Sequence, residues 1–182
     1  MTLDIIFKNY TSSKAPGEKF FRKIIEKSSN VLKLKGDLGM SINLVGEKKI
    51  QELNKKYRHK NKPTDVLSFP IRLAPLAQGR PDGAKANGPE DIRLSPSTVS
   101  SGSNCSVEVL IEGQSQDFGD IFICLSIAKK EAKRENVSIE RKLAQLSVHG
   151  FLHLKGCDHE KSEADAKEMF KLEKQILDKL KI

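Results

Sequence analysis

Tryptophan is absent from this chain, and only two of its 182 residues are tyrosines. A core built without them must come from Leu, Ile, Val and Phe. Long apolar runs are missing as well. No stretch approaches the roughly 20 consecutive apolar residues of a membrane-crossing helix, so no membrane span is expected. The opening "MTLDIIFKNY" lacks the basic region and apolar centre of a secretory signal and reads as a first strand. Cysteine is scarce. Cys105, Cys124 and Cys157 are odd in number and widely spaced, which argues against a disulfide framework and for a reducing cytoplasm. Histidine is scarce too, yet three of the four histidines fall within residues 149–159.

Charge, by contrast, is plentiful and unevenly placed. The net charge is +8. Residues 1–62 carry 15 Lys and Arg against 6 Asp and Glu, whereas the remainder carries 17 against 18. A basic surface confined to one third of a chain attracts polyanions, nucleic acid first. A merely solvated lysine-rich face is the plainer alternative.

Periodicity organises the rest. Strands are expected at 3–9, 40–46, 65–70 and 119–126. Helices are expected at 17–34, 47–58, 127–138, 139–156 and 162–182. In the first helix, Phe20, Ile24, Val31 and Leu34 would share one face. Ser138 and Ser162 stand where N-caps belong, and Gly156 where a helix stops. Residues 74–106 hold four of the seven prolines and four of the twelve glycines. Such a stretch buries little apolar area and reads as an inserted mobile loop within a single domain spanning 1–182. A short strand or hairpin arm is expected at 107–113. Strands interspersed with helices predict an α/β or α+β fold.

The segment "HGFLHLKGCDHE" (149–160) carries the chemistry. His149 and His153 are four apart, so on a helix they project from one face. Gly156 turns the chain, and His159 can swing back as a third ligand. Three imidazoles suit one Zn²⁺ and leave a fourth position for water. The spacing H-x3-H-x2-G-x2-H is that of the metzincin proteases, which carry a catalytic Glu after the first His. Here that position is Gly150. The protease base is missing, and hydrolysis of something other than a peptide is expected.

The same segment resembles the H-G-x-L-H-L-x-G-x-D-H motif of the YbeY endoribonucleases, the bacterial ribosomal RNA maturation factors. "NKKYRHKNKPTDVLSFP" (54–70) resembles that family's Y-R-x-x-x-x-P-T-D-V-L-S-F-P block, and "GDIFIC" (119–124) its G-D-I segment. The resemblance implies a central, mostly parallel four-stranded sheet packed with five to six helices, and a zincin-like three-histidine site. It implies one Zn²⁺ per chain on His149, His153 and His159. It further implies a cytoplasmic, single-strand-specific endoribonuclease in 16S rRNA 3′-end maturation and ribosome quality control. Its partners would be single-stranded RNA, small-subunit rRNA, the ribosome and ribosomal or assembly proteins. Arg58 and His149 fall on the family's functional arginine and first histidine. The nucleophile would be zinc-bound water or the substrate 2′-hydroxyl, with Arg58 stabilising the phosphate. The chain departs from the family pattern at Cys157, where an aromatic is common, and in the length of the 74–106 insertion.

The remaining candidate residues are read as follows. Asp158 is a ligand-orienting group, a base or a turn former. Asp65 caps a turn or faces a cleft, and Ser68 lines the cleft or merely occupies an edge strand. Asp120 reads as a cap at a strand entry. His59 reads as a neighbour of Arg58 and not as a ligand, and Cys157 as pointing away from the metal. Lys48, Lys49, Lys55 and Lys56 form a candidate RNA track. Two competing functions remain open from sequence: a zincin-type metalloprotease, and a non-catalytic ribosome-assembly factor with structural zinc.

Overall fold

The computed structural model describes residues 2–71, 115–160 and 162–182. The loop expected at 74–106 and the arm expected at 107–113 lie outside the described residues. The elements run β1 (Leu3–Asn9), α1 (Glu18–Val31), β2 (Asp37–Val45), α2 (Glu47–Arg58), β3 (Val66–Pro70), β4 (Ser115–Cys124), α3 (Leu125–Glu135), α4 (Ile139–Leu154) and α5 (Glu163–Leu180). The four strands form one mixed sheet in the order β1-β2-β4-β3. β1–β2 and β2–β4 pair in parallel, and β3 pairs antiparallel with β4. The fold class expected from the sequence is therefore the one observed, with five helices among the described residues.

The two sheet faces are covered differently. Leu38, Met40, Ile42 and Leu44 alternate along β2 and join Ile121 and Ile123 of β4 in the larger core. Phe21, Ile24 and Ile25 of α1, the apolar side of α4, and Met169, Ile176 and Leu180 of α5 complete it. The intervening side chains point the other way, as strand geometry requires. There Val45, Leu67 and Phe122 pack with Ile50 and Leu53 of α2 in a smaller cluster. α4 and α2 thus lie on opposite faces of the sheet. No helix among the described residues is long and apolar enough to cross a membrane.

Local signals explain the boundaries. Ser138 Oγ accepts the Arg141 N–H, and Ser162 Oγ accepts the Asp165 N–H, so both serines cap as expected. α4 ends in a Schellman motif: Cys157 N–H donates to Leu152 O, Gly156 N–H donates to His153 O, and Gly156 takes φ +87°. Several expected boundaries need correction. Phe20, Ile24, Val31 and Leu34 all pack on the larger core as expected, but α1 ends at Val31, before Leu34, and it also buries Phe21 and Ile25 completely. β2 starts at Asp37 and β4 at Ser115, because Gly39 and Gly119 sit inside strands at or near an irregularity in pairing and do not mark strand ends. α3 starts at Leu125, two residues earlier than expected. Cys124 keeps a free, buried thiol.

Candidate metal centre

α4 reaches the sheet at Gly150. A Cβ built there would lie 2.9 Å from Ser68 Oγ and 3.0 Å from Ile121 Cγ2. Only a residue without a side chain lets the helix approach this closely. The contact also fixes the rotation of α4, with Gly150 facing the sheet and His149 and His153 on one partly open flank. Ser68 is thereby placed under the helix. A carboxylate at position 150 has no space, so the position that holds a protease's base is closed by packing as well as by residue type.

His159 returns to this flank as the motif anticipates. The glycine turn reverses the chain, and Asp158 Oδ1 accepts the Glu160 N–H at 2.9 Å. Asp158 is thus a turn former in this structure. The ring centroids of the three histidines are 4.7, 5.2 and 5.1 Å apart. Their ligand nitrogens all lie within 4.8 Å of one another, so the three could hold one metal ion. The His149 and His153 Nε2 atoms are 3.1 Å apart. A tetrahedral ion with bonds of about 2.0–2.1 Å places its nitrogens about 3.3 Å apart, so the pair fits.

Electrostatics favour ligation. Burial, followed by the charges of His149 and His159, lowers the His153 pKa from 6.5 to about 4. The imidazole is neutral at pH 7, the form a metal takes. His149 Nδ1–H donates to Glu173 Oε2 at 3.0 Å. That bond leaves the Nε2 lone pair free and aimed at the other histidines. Glu173 is itself only 7% exposed and accepts from Gln145 Nε2 at 3.3 Å. Sequence reading did not single out Glu173. Its signal was present, since it interrupts the buried stripe Met169, Ile176 and Leu180 of α5.

Arg58 arrives from the other face of the sheet. It is the last residue of α2, which His59 ends in a left-handed conformation at φ 56°. Arg58 Nη2 lies 3.2 Å from Glu160 Oε2 and 3.3 Å from Oε1. Glu160 follows His159 directly, so an arginine 102 residues away is held at the rim of the histidine cluster.

Other candidates settle elsewhere. Asp65 accepts the Val66 N–H and the Thr64 hydroxyl, which makes it a turn cap. Asp120 is not at a strand entry. It lies within β4, accepts the Ser41 hydroxyl across the β2–β4 pair, and lines a groove of about 730 Å³ with Lys8, Tyr10, Asn43 and Lys49. Cys157 is buried and outside the histidine group. Lys48, Lys49, Lys55 and Lys56 are all exposed on α2.

Comparison with known proteins decides the family. The chain matches the family described as Endoribonuclease YbeY over residues 6–181. This chain belongs to the endoribonuclease YbeY family. An Endoribonuclease YbeY of Staphylococcus carnosus is 38% identical over 146 residues, covering 80% of this chain and 74% of the relative. That of Sulfurihydrogenibium sp. is 35% identical, covering 97% and 91%, and that of Oenococcus oeni 33%, covering 88% and 84%. A solution structure of a Thermotoga maritima protein is similar with a TM-score of 0.52 at 27% identity, covering 95% of this chain and 86% of that one. Membership in YbeY accords with a site that keeps three imidazoles and an arginine but has no room for a protease's base.

Proposed function

We propose that this chain is a zinc-dependent, single-strand-specific endoribonuclease that acts in the cytoplasm, in 16S rRNA 3′-end maturation and ribosome quality control. The observation that carries the reading is the convergence of His149, His153 and His159 with Arg58 at their rim, in a YbeY chain. When bound, Zn²⁺ would supply Lewis acidity and acidify water at the scissile phosphate. The protein's own groups do the rest. His149, His153 and His159 would hold the ion, and Glu173 keeps His149 in the right tautomer and orientation. Arg58 grips the phosphate oxygens in place of the Glu160 carboxylate and stabilises negative charge that builds on phosphorus. The exchange is easy because both partners of the Arg58–Glu160 pair are about half exposed, and such pairs contribute little.

The test is cleavage of a labelled single-stranded RNA and of an unstructured peptide by metal-loaded wild type, Arg58→Ala, His149→Ala and a chelated sample. Arg58→Ala should lose about a hundredfold in rate with its metal content intact. His149→Ala should lose both. Peptide cleavage without RNA cleavage would overturn the assignment. Tight metal with no cleavage of either substrate would favour a structural metal in an assembly factor.

A further inference from the structure

α5 buries Met169, Ile176 and Leu180, yet leaves Phe170 52% exposed. The position of Phe170 is informative. Its ring is nearly parallel to that of His159, with 21° between planes and 5.8 Å between centroids. One side of the phenyl ring is turned to an imidazole of the histidine cluster, and the remainder meets solvent. Glu173, one turn onward, contacts His149, so Phe170 shares the α5 face that looks toward the cluster. Lys167 and Lys174 stand three residues before and four residues after Phe170, and both are exposed. These spacings make them its surface neighbours on a helix. An open aromatic face therefore lies between two cations, beside the candidate metal centre.

We infer that Phe170, flanked by Lys167 and Lys174, is a nucleobase subsite in which one base of the RNA next to the scissile bond stacks on the phenyl ring. This rests on the RNA-cleaving reading above. Aromatic rings bind bases of single strands by stacking, and nearby cations hold the adjoining phosphates. Every base has a π-face, so the subsite tolerates sequence. A base can offer that face only when it is unpaired and splayed from its neighbour. The subsite thus supplies a physical reason for choosing single strands, independent of the metal. A purely structural role for Phe170, pinning His159 by apolar contact, would be met equally well by a leucine.

The experiment uses the metal-loaded full chain. The cut in one labelled single-stranded RNA is mapped, and nucleotides around it are then replaced one at a time by an abasic residue. KM, kcat, RNA binding by anisotropy and metal content are measured for wild type, Phe170→Ala, Phe170→Leu and Phe170→Tyr. In wild type, one abasic position should raise KM about tenfold, the size of one stacked base. Phe170→Ala should raise KM about tenfold on intact RNA and make that abasic position silent. Tyrosine should restore wild-type behaviour and leucine should not, with kcat and metal content little changed in all variants. Wild-type KM in Phe170→Ala, full rescue by leucine, or metal loss parallel to the KM change would each overturn the subsite. Should wild type cleave no RNA, binding separates the two ideas. Base-dependent binding lost in Phe170→Ala keeps the subsite and rejects the cleavage reading, whereas base-independent binding rejects both.

Discussion

At the scale of single residues, the candidate metal centre depends on groups that touch the three histidines. Glu173 fixes the ring of His149, and losing such an outer partner typically costs about 10–100-fold in metal affinity. Glu173→Gln, nearly isosteric, should therefore weaken metal binding by that factor while the fold survives, as read by metal titration and circular dichroism. His153 gives a pH signature in the metal-stripped protein. Its folded pKa of about 4 lies below the ordinary 6.5, so folding favours the neutral ring. That contribution is complete above pH 6.5 and is lost as pH falls through 6.5 toward 4. The urea midpoint of chelated wild type should drop across this window, and the drop should shrink in His153→Gln. Equal pH dependence in the two proteins would contradict the burial argument. Glu160 restrains Arg58 only weakly, so Glu160→Gln should lower KM for RNA a few-fold at most.

Elements place these residues, and the contact of α4 with the sheet is the decisive one. Gly150→Ala pushes a methyl group against Ser68 Oγ and the Ile121 side chain. Overpacking of this kind costs about 1–3 kcal/mol. Because the helix must shift, His149 and His153 shift with it. Thermal stability and metal affinity should fall together, and Ser68→Ala should restore part of both by removing the nearer obstacle. Much of this level was legible in the sequence. Ser138, Ser162 and Gly156 announce the ends of α4 and α5, because capping is local chemistry that a linear reading captures. The histidine spacing announced the cluster for the same reason. What escaped depends on distant partners. The early starts of β2 at Asp37 and β4 at Ser115 come from pairing with strands distant in sequence, which the local pattern at 40–46 and 119–126 does not carry. Choosing between Phe20 and Phe21 required knowing where α1 meets the core. The Arg58–Glu160 contact spans 102 residues, and no local pattern encodes it. Glu173 was readable only as a carboxylate out of place in an apolar stripe.

For the molecule as a whole, the question is where the excess cations act. Fifteen of the 32 basic residues lie in residues 1–62, and within that third α2 exposes Lys48, Lys55 and Lys56 on the helix that ends at Arg58. An RNA phosphate at Arg58 would continue naturally along α2, whereas the exposed Lys27 belongs to α1, on the other face of the sheet. Single-stranded RNA releases about 0.7 counterion per phosphate neutralised. Three contacts along α2 would then weaken binding roughly tenfold to twentyfold between about 50 and 200 mM salt. Lys55→Glu combined with Lys56→Glu should flatten the slope of log affinity against log salt by about 1.4, the share of two contacts. Turnover at saturating RNA should be unchanged, because neither lysine belongs to the histidine cluster. Lys27→Glu is the control and should leave the slope where it was. If Lys27→Glu flattened the slope as much per charge as the α2 substitutions, the basic third would act as a diffuse field that steers RNA toward the protein. A difference between the two faces would instead define a path for the strand, along α2 to Arg58 and onto the three histidines.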